Sequence, residues 1–337
     1  MTNGDVYAVA RSGGRVYLAG DFTALTDGRG HSVSRARIAA LDAVTGAPID
    51  GFAPRADDVV WSLAVSPDGT RVYVGGAFHS IDGEAHARLA AVDAVTGRPL
   101  PRWSADVRGG IVRDLAASKH VLYVGGGFAN VAGSRARDLT ALDAITGSRL
   151  PGWRADTDGS VRAVSLSPED GRLYVGGTFS VVEGARRRNL AVLDASTGLA
   201  LPWNPAPQYP VLDIVASAQA AVVAGAGTGG TLASFDAVDA QEEWHVRTNG
   251  DVQAIASLGS RLYAGGHFTV AGGATRRKIF VVDASTGALG SWSPSLNSEV
   301  GVRAIDALGT DVHVGGSFTE VNGVRRRGYA QFTDLPL

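Results

Sequence analysis

Residues 161–203 read VRAVSLSPEDGRLYVGGTFSVVEGARRRNLAVLDASTGLALPW, and the fold is decided there. Four segments of strand-like composition, 161–167, 172–179, 189–195 and 199–203, are separated by polar turns. The first alternates apolar with small or polar residues, through Val161, Ala163, Val164 and Leu166. The second runs Leu173, Tyr174, Val175 into Gly176-Gly177 and Phe179; the third is apolar from Leu190 to Leu193; the fourth is a stub ending in Trp203. The turns at 167–171 and 194–198 each carry a glycine, as turns that close β-hairpins do. One such unit is a four-stranded antiparallel meander. Alone it leaves an apolar face uncovered, so it needs neighbours of its own kind.

The neighbours are present. First strands open at Val6, Val60, Val112, Val161, Val211, Val252 and Val302, spaced 41 to 54 residues apart. Second strands ending in Phe22, Phe78, Phe128, Phe179, Phe268 and Phe318 follow them, then Asp-x-x-Thr-Gly turns at Asp42, Asp93, Asp143, Asp194 and Asp283. Fourth segments end in Phe52, Trp103, Trp153, Trp203, Trp244 and Trp292. Unit five is degenerate: it lacks the Phe, the arginine-bearing loop and the Thr-Gly turn. Repeats of four strands at this length are propeller blades, and the Gly or Ala pairs at 19–20, 75–76, 125–126 and 176–177 suit strands crowded near an axis. The expectation is an all-β, seven-bladed β-propeller of four-stranded antiparallel blades in one domain over residues 1–337. The terminal tryptophans belong on the wide rim between diverging blades. Unit seven ends in third-strand material, and Thr2-Asn3-Gly4-Asp5 matches the Thr248-Asn249-Gly250-Asp251 link that follows Trp244. Blade seven is therefore expected to lack its outer strand, which would come from upstream of Met1, and to offer an open edge for self-association.

Composition sets broad limits. A formal net charge of −2 gives no reason to expect nucleic acid as a partner. The chain has no cysteine, hence no disulfide framework and no thiolate site. No apolar run reaches the length of a membrane span, so membrane insertion is not expected. The N-terminus, MTNGDVYAVA, lacks the basic and apolar regions of a signal peptide and reads as Met1 set before a mature or trimmed domain.

The pattern Gly-Gly-x-Phe, Arg-x-x-Leu-Ala-x-x-Asp-Ala-x-Thr-Gly, Leu-Pro-x-Trp resembles the delta-60-repeat β-propeller family over essentially the whole chain, unit five being the poor match. The resemblance implies an extracellular or cell-surface protein of actinobacterial type and carries over no catalytic residues. A second likeness is to quinone-cofactor dehydrogenase propellers, whose docking motif reads Ala-x-Asp-x-x-Thr-Gly-x-x-x-Trp. Here Trp103 and Trp153 lie six residues after Gly97 and Gly147, and Trp203 and Trp292 lie five after Gly198 and Gly287, against four in that family. The turn is read as shared structural grammar, and no cofactor is expected.

Function has to be sought where the repeats differ. The seven His residues are scattered with no metal-ligand spacing, and neither a Gly-x-Ser-x-Gly elbow nor a phosphate loop is present, so no metal site or catalytic residue is assigned. The loops between strands two and three carry Arg35, Arg37, Arg88, Arg135, Arg137, Arg186 to Arg188, Arg276, Arg277 and Arg325 to Arg327. Acidic residues in the connections, including Asp57, Asp58, Asp106, Asp156 and Asp158, make a belt of inter-blade Arg–carboxylate pairs the structural expectation. The second position of the innermost strand varies most: Tyr7, Trp61, Arg113, Arg162, Leu212, Gln253 and Arg303. Aromatic faces beside guanidinium donors suit a sugar, carboxylate or phosphate ligand, so Tyr7, Trp61, Arg113, Arg162, Gln253 and Arg303 form the candidate ligand-binding funnel at the channel mouth. Asp114, Asp213 and Asp306 lie just beyond it, as acid or base groups or as counter-charges to the arginines. The leading reading is a non-enzymatic binding module for a glycan, an anionic surface ligand or a partner protein, at the channel mouth or at the face of the arginine loops. The alternatives are a propeller hydrolase or lyase acting on an acidic glycan, and a structural spacer of a larger secreted protein.

Overall fold

The structure, a computed structural model, describes residues 1–27, 30–167, 171–227, 229–333 and 335. The middle of the turn expected at 167–171 lies outside the described residues. All described regular structure is strand, and the chain forms a β-propeller. Innermost strands are Val6–Ser12, Val60–Val65, Ile111–Ala117, Val161–Leu166, Val211–Ala216, Val252–Leu258 and Val302–Leu308. Each heads an antiparallel sheet and lies against the next innermost strand, and the seventh lies against the first. We number these sheets as blades 1 to 7.

The fourth segment departs from a regular strand. In blades 1, 2, 3, 4 and 6 it adds a single bridge to a three-stranded sheet, as between Val92 and Pro99 or Leu193 and Ala200. The chain then turns at once: Trp103 N–H donates to Leu100 C=O at 3.0 Å across Pro101-Arg102, with proline where its fixed φ fits a β-turn. That turn swings the indole back onto the sheet. Blade 5, degenerate in sequence, has a fourth strand, Glu242–Arg247, paired along its length with one register shift at Glu243. In blade 7 the third strand, Tyr329–Phe332, has no fourth-segment bridge among the described residues.

The arginine-bearing loops are themselves small hairpins, such as Ser80–Ile81 with Glu84–Ala85 and Val181–Val182 with Ala185–Arg186. Asp82 and Gly83 have φ of 54° and 81°, the pair of left-handed residues a two-residue type I′ turn requires. The connection leading into each of these blades pairs with its hairpin, as Val107–Arg108 does with Asn130–Val131. This second tier covers one end of the propeller.

Between blades lie seven apolar clusters, one per seam. The seams are close: a Cβ on Gly176 would stand 2.4 Å from Val211 Cγ1 of the next blade. They are also stapled by hydrogen bonds. Tyr73 Oη and Trp103 Nε1 of blade 2 both donate to the Ala144 carbonyl of blade 3, at 2.7 and 3.2 Å. Tyr123 and Trp153 do the same to Ala195 of blade 4, at 2.9 and 3.0 Å. The acceptor is the residue after the Asp of the Asp-x-x-Thr-Gly turn. That turn is rigid, because Asp93 Oδ1 accepts from the Val95 and Thr96 N–H groups and the Thr96 hydroxyl, while Gly97 takes φ of 73°.

Candidate functional site

In every innermost strand the register shifts near its start, so Tyr7, Trp61, Arg113, Arg162, Leu212, Gln253 and Arg303 have no cross-strand partner. Each is the extra residue of a β-bulge, which re-aims its side chain away from the ladder. All seven line one cavity of about 540 Å³ in the channel. Pro210 and Asp251, from connections leading into blades, and Thr178 and Ala226, at the exits of second strands, share its wall. The cavity therefore opens at the end covered by the second tier. The six candidate ligand-binding residues are brought together.

Their arrangement differs from the expected open platforms. Tyr7 and Trp61 stack on each other, centroids 4.5 Å apart. The Arg303 guanidinium covers Tyr7 at 5.8 Å, and Arg113 covers Trp61 at 5.4 Å. Arg303, Tyr7, Trp61 and Arg113 thus form one continuous stack across blades 7, 1, 2 and 3, held by cation–π attraction. Both faces of each ring are used, which corrects the expectation of aromatic surfaces free for a sugar. What the stack does is fix two guanidinium groups at the wall. The Tyr7 hydroxyl is anchored on Asp21 at 3.1 Å.

Among the described residues no carboxylate forms an ion pair with Arg113, Arg162 or Arg303. Burial, and then the charge of Arg162, pull the Arg113 guanidinium below its usual range. Ser62 Oγ, Gln253 Oε1 and Arg303 Nε also lack hydrogen-bond partners. Asp114 and Asp213 line the same cavity, but their oxygens accept backbone N–H groups rather than guanidinium, which corrects the expectation of counter-charges. Both are half-buried and face the channel cavity, and burial pushes both carboxyls up to about 7. Asp306 lies outside the cavity lining and pairs with Arg11 at the seam between blades 7 and 1.

The arginine belt is corrected too. Arg37 donates to Ala56 C=O at 2.9 Å, Arg88 to Val107 C=O at 3.0 Å and Arg187 to Leu201 C=O at 2.6 Å. The acidic connections accept loop N–H groups instead: Asp158 takes those of Ser180 and Val181, at 2.7 and 2.9 Å. Loose ion pairs remain, such as Arg135 with Asp156 at 3.9 Å. Each loop and connection is thus tied through its backbone, which sequence reading missed. The signal was there in the x-Gly dipeptides at 82–83, 132–133, 183–184, 272–273 and 322–323, which mark two-residue hairpins.

The turns that resemble a quinone-docking motif do not fit such a group. Their Asp and Thr side chains bond within the turn, and Trp103, Trp153 and Trp203 are buried against the next blade. Among the described residues no group of three or more His, Cys, Asp or Glu side chains could hold a metal ion.

Comparison with known proteins places these features in a family. No curated protein matches the chain. Among solved structures, the computationally designed Ika8 protein is similar at 17% identity and a TM-score of 0.60, covering 97% of this chain and 96% of its own. The WD40 β-propeller domain of Doa1 is similar at 11% identity and a TM-score of 0.64, covering 94% of this chain and 91% of its own. Both likenesses concern the fold alone. The family model described as outer membrane protein assembly factor BamB matches residues 34–198 and 135–316, most of the chain. With propeller repeats matched over that length, the chain belongs to the family that model describes.

Proposed function

We propose that this protein is a non-enzymatic binding module that takes an anionic ligand, an acidic glycan foremost, at the channel mouth. The observation that carries the reading is the convergence of Arg113, Arg162 and Arg303 on one cavity with no carboxylate paired to any of them. A protein holds three like charges together at a cost in repulsion, and a bound anion offsets that cost. The likeness to delta-60 repeats supports an extracellular or cell-surface location, where acidic glycans and partner proteins are available.

The test is a binding titration of the purified chain against uronate-rich and neutral glycans at rising ionic strength. Acidic glycans alone are expected to bind, more weakly as salt rises. Arg162→Ala should weaken binding by roughly 1.5–3 kcal/mol, the range for a hydrogen bond to a charged group. Arg326→Ala, on the exposed loop of blade 7, should leave it unchanged. Parental binding by both Arg162→Ala and Trp61→Ala would move the site to the loops at 325–327. A second reading, a hydrolase or lyase, draws on Asp114 standing at about 7 in the same cavity. Release of products from an acidic glycan, abolished in Asp114→Asn, would establish it.

A further inference from the structure

Seven backbone N–H groups ring the channel at one register position: Val9, Leu63, Leu115, Val164, Ile214, Ile255 and Ile305. Four are satisfied by two carboxylates. Asp114 accepts from Leu115 of its own blade and from Val164 across the seam, both at 2.8 Å. Asp213 accepts in the same way from Ile214 and Ile255, both at 2.8 Å. One planar carboxylate thus spans two adjacent blades, one oxygen to each.

The other three donors, of Ile305, Val9 and Leu63, are consecutive around the ring, in blades 7, 1 and 2. There the position held by Asp in blades 3 and 5 is Ala304, Ala8 and Ser62. The register is the same, so these N–H groups face the channel as their four equivalents do, and no side chain among the described residues accepts from them. All three residues line the cavity. Ser62 Oγ stands beside them without a partner, on a residue 4% exposed. The sector is bracketed by the two ends of the aromatic stack, Arg303 and Arg113. This set lacks the carboxylate that closes each neighbouring pair of the ring, and a donor left unbonded where water is excluded is costly.

We propose that this sector is a carboxylate subsite, in which the carboxylate of a uronic-acid residue takes the place that Asp114 and Asp213 take elsewhere in the ring. The inference rests on the channel-mouth reading and narrows it to the chemical group recognised. A flat, two-oxygen acceptor bridging two blades fits the spacing demonstrated twice in the same ring. Ser62 Oγ–H and the guanidinium groups supply the remaining donors, and bonds to a charged acceptor are the strong ones.

The experiment follows backbone amide shifts of the full chain during titration with sodium glucuronate, its neutral methyl ester and sodium sulfate. Glucuronate should move the amides of Val9, Leu63 and Ile305, and the ester should not. Ala8→Asp supplies an internal carboxylate at the position equivalent to Asp114, and should weaken glucuronate roughly tenfold or more. If Ala8→Asp does not fold, Ser62→Ala should narrow the preference for acid over ester. Equal shifts of these amides with sulfate, or parental glucuronate binding by Ala8→Asp, would overturn the proposal. Failure here is separable from failure of the broader reading. Acidic glycans bound through Arg162 with these three amides unmoved would remove the subsite and leave that reading. Glucuronate moving the amides with no glycan bound would keep the subsite and remove the reading.

Discussion

Asp114 and Asp213 each accept two N–H bonds, which favours the ionised carboxylate, yet burial outweighs them and pushes both up to about 7. Unfolded, both titrate near 4. The native state therefore binds more protons than the unfolded one between about pH 4 and pH 7. These two groups lower stability as pH rises through that window and change nothing further above it. Asp138, raised to about 6, acts in the same direction, whereas turn carboxylates such as Asp68, held near 2 by Ser66 and Thr70, lose their contribution only as pH falls below 4. Denaturant melts of Asp114→Asn/Asp213→Asn across pH 4 to 8 should show a flatter profile than the parent. An unchanged slope between about pH 4 and 7 would contradict the assignment. The sequence made Tyr7, Trp61 and the arginines visible as positions where the repeat varies. It could not show that they stack on one another, because the contact joins residues in different blades whose rings meet only once the propeller closes.

At the level of the blade, a paired Tyr and Trp close on one carbonyl at the seams between blades 2 and 3 and between blades 3 and 4. Trp153 is 3% exposed and donates to Ala195, so its indole serves both the apolar seam and the staple. Trp153→Ala should cost roughly 3–5 kcal/mol in denaturant melts. Trp153→Phe, the residue blade 1 carries as Phe52, should lose much less, about 1 kcal/mol for the bond. A loss below about 1 kcal/mol for the alanine variant would mean the indole does not pack in the seam. Blade positions were legible because four strand patterns recur with their turns. The strength of the fourth strand was not. Unit five looked worst by sequence and, among the described residues, forms the one four-stranded sheet; it lacks the proline that precedes the Trp in blades 2 to 4. The arginine loops misled for a related reason: charge pattern suggests ion pairs, while the second-tier hairpins bring carbonyls nearer than carboxylates.

Across the whole molecule, one seam departs from the rest. Where blades 1 to 4 and 6 carry Tyr17, Tyr73, Tyr123, Tyr174 and Tyr263, blade 7 carries His313, fully buried and bonded to Arg11 and Tyr329. Burial, then the Arg11 charge, hold His313 near 4, so it is neutral at pH 7. Arg11 also pairs with Asp306, and Gln331 Nε2 donates to Ala43 C=O at 2.9 Å, the carbonyl position to which Trp103 and Trp153 donate at their own seams. Arg11→Met should cost roughly 1.5–3 kcal/mol, since the partly accessible Asp306 loses its charged donor. Amide exchange should then quicken first in the innermost strands of blades 1 and 7. Uniform quickening around the ring would show that this seam is no weaker than the others.

The staples also give the propeller a sense of rotation. Each donor sits on one blade and each acceptor on the blade that follows, so every unit has a head and a tail, like subunits in a cyclic oligomer. Head-to-tail contacts between identical units carry no information about how many should join before the circle shuts. The odd seam supplies it. Arg11 finds its partners only on the seventh blade, and a ring one unit shorter or longer would set that guanidinium against an apolar neighbour. Swapping of blades between two chains meets the same penalty unless the seventh again meets the first. The polar join therefore works as an address, discriminating against miscounted rings that the repeats themselves would tolerate.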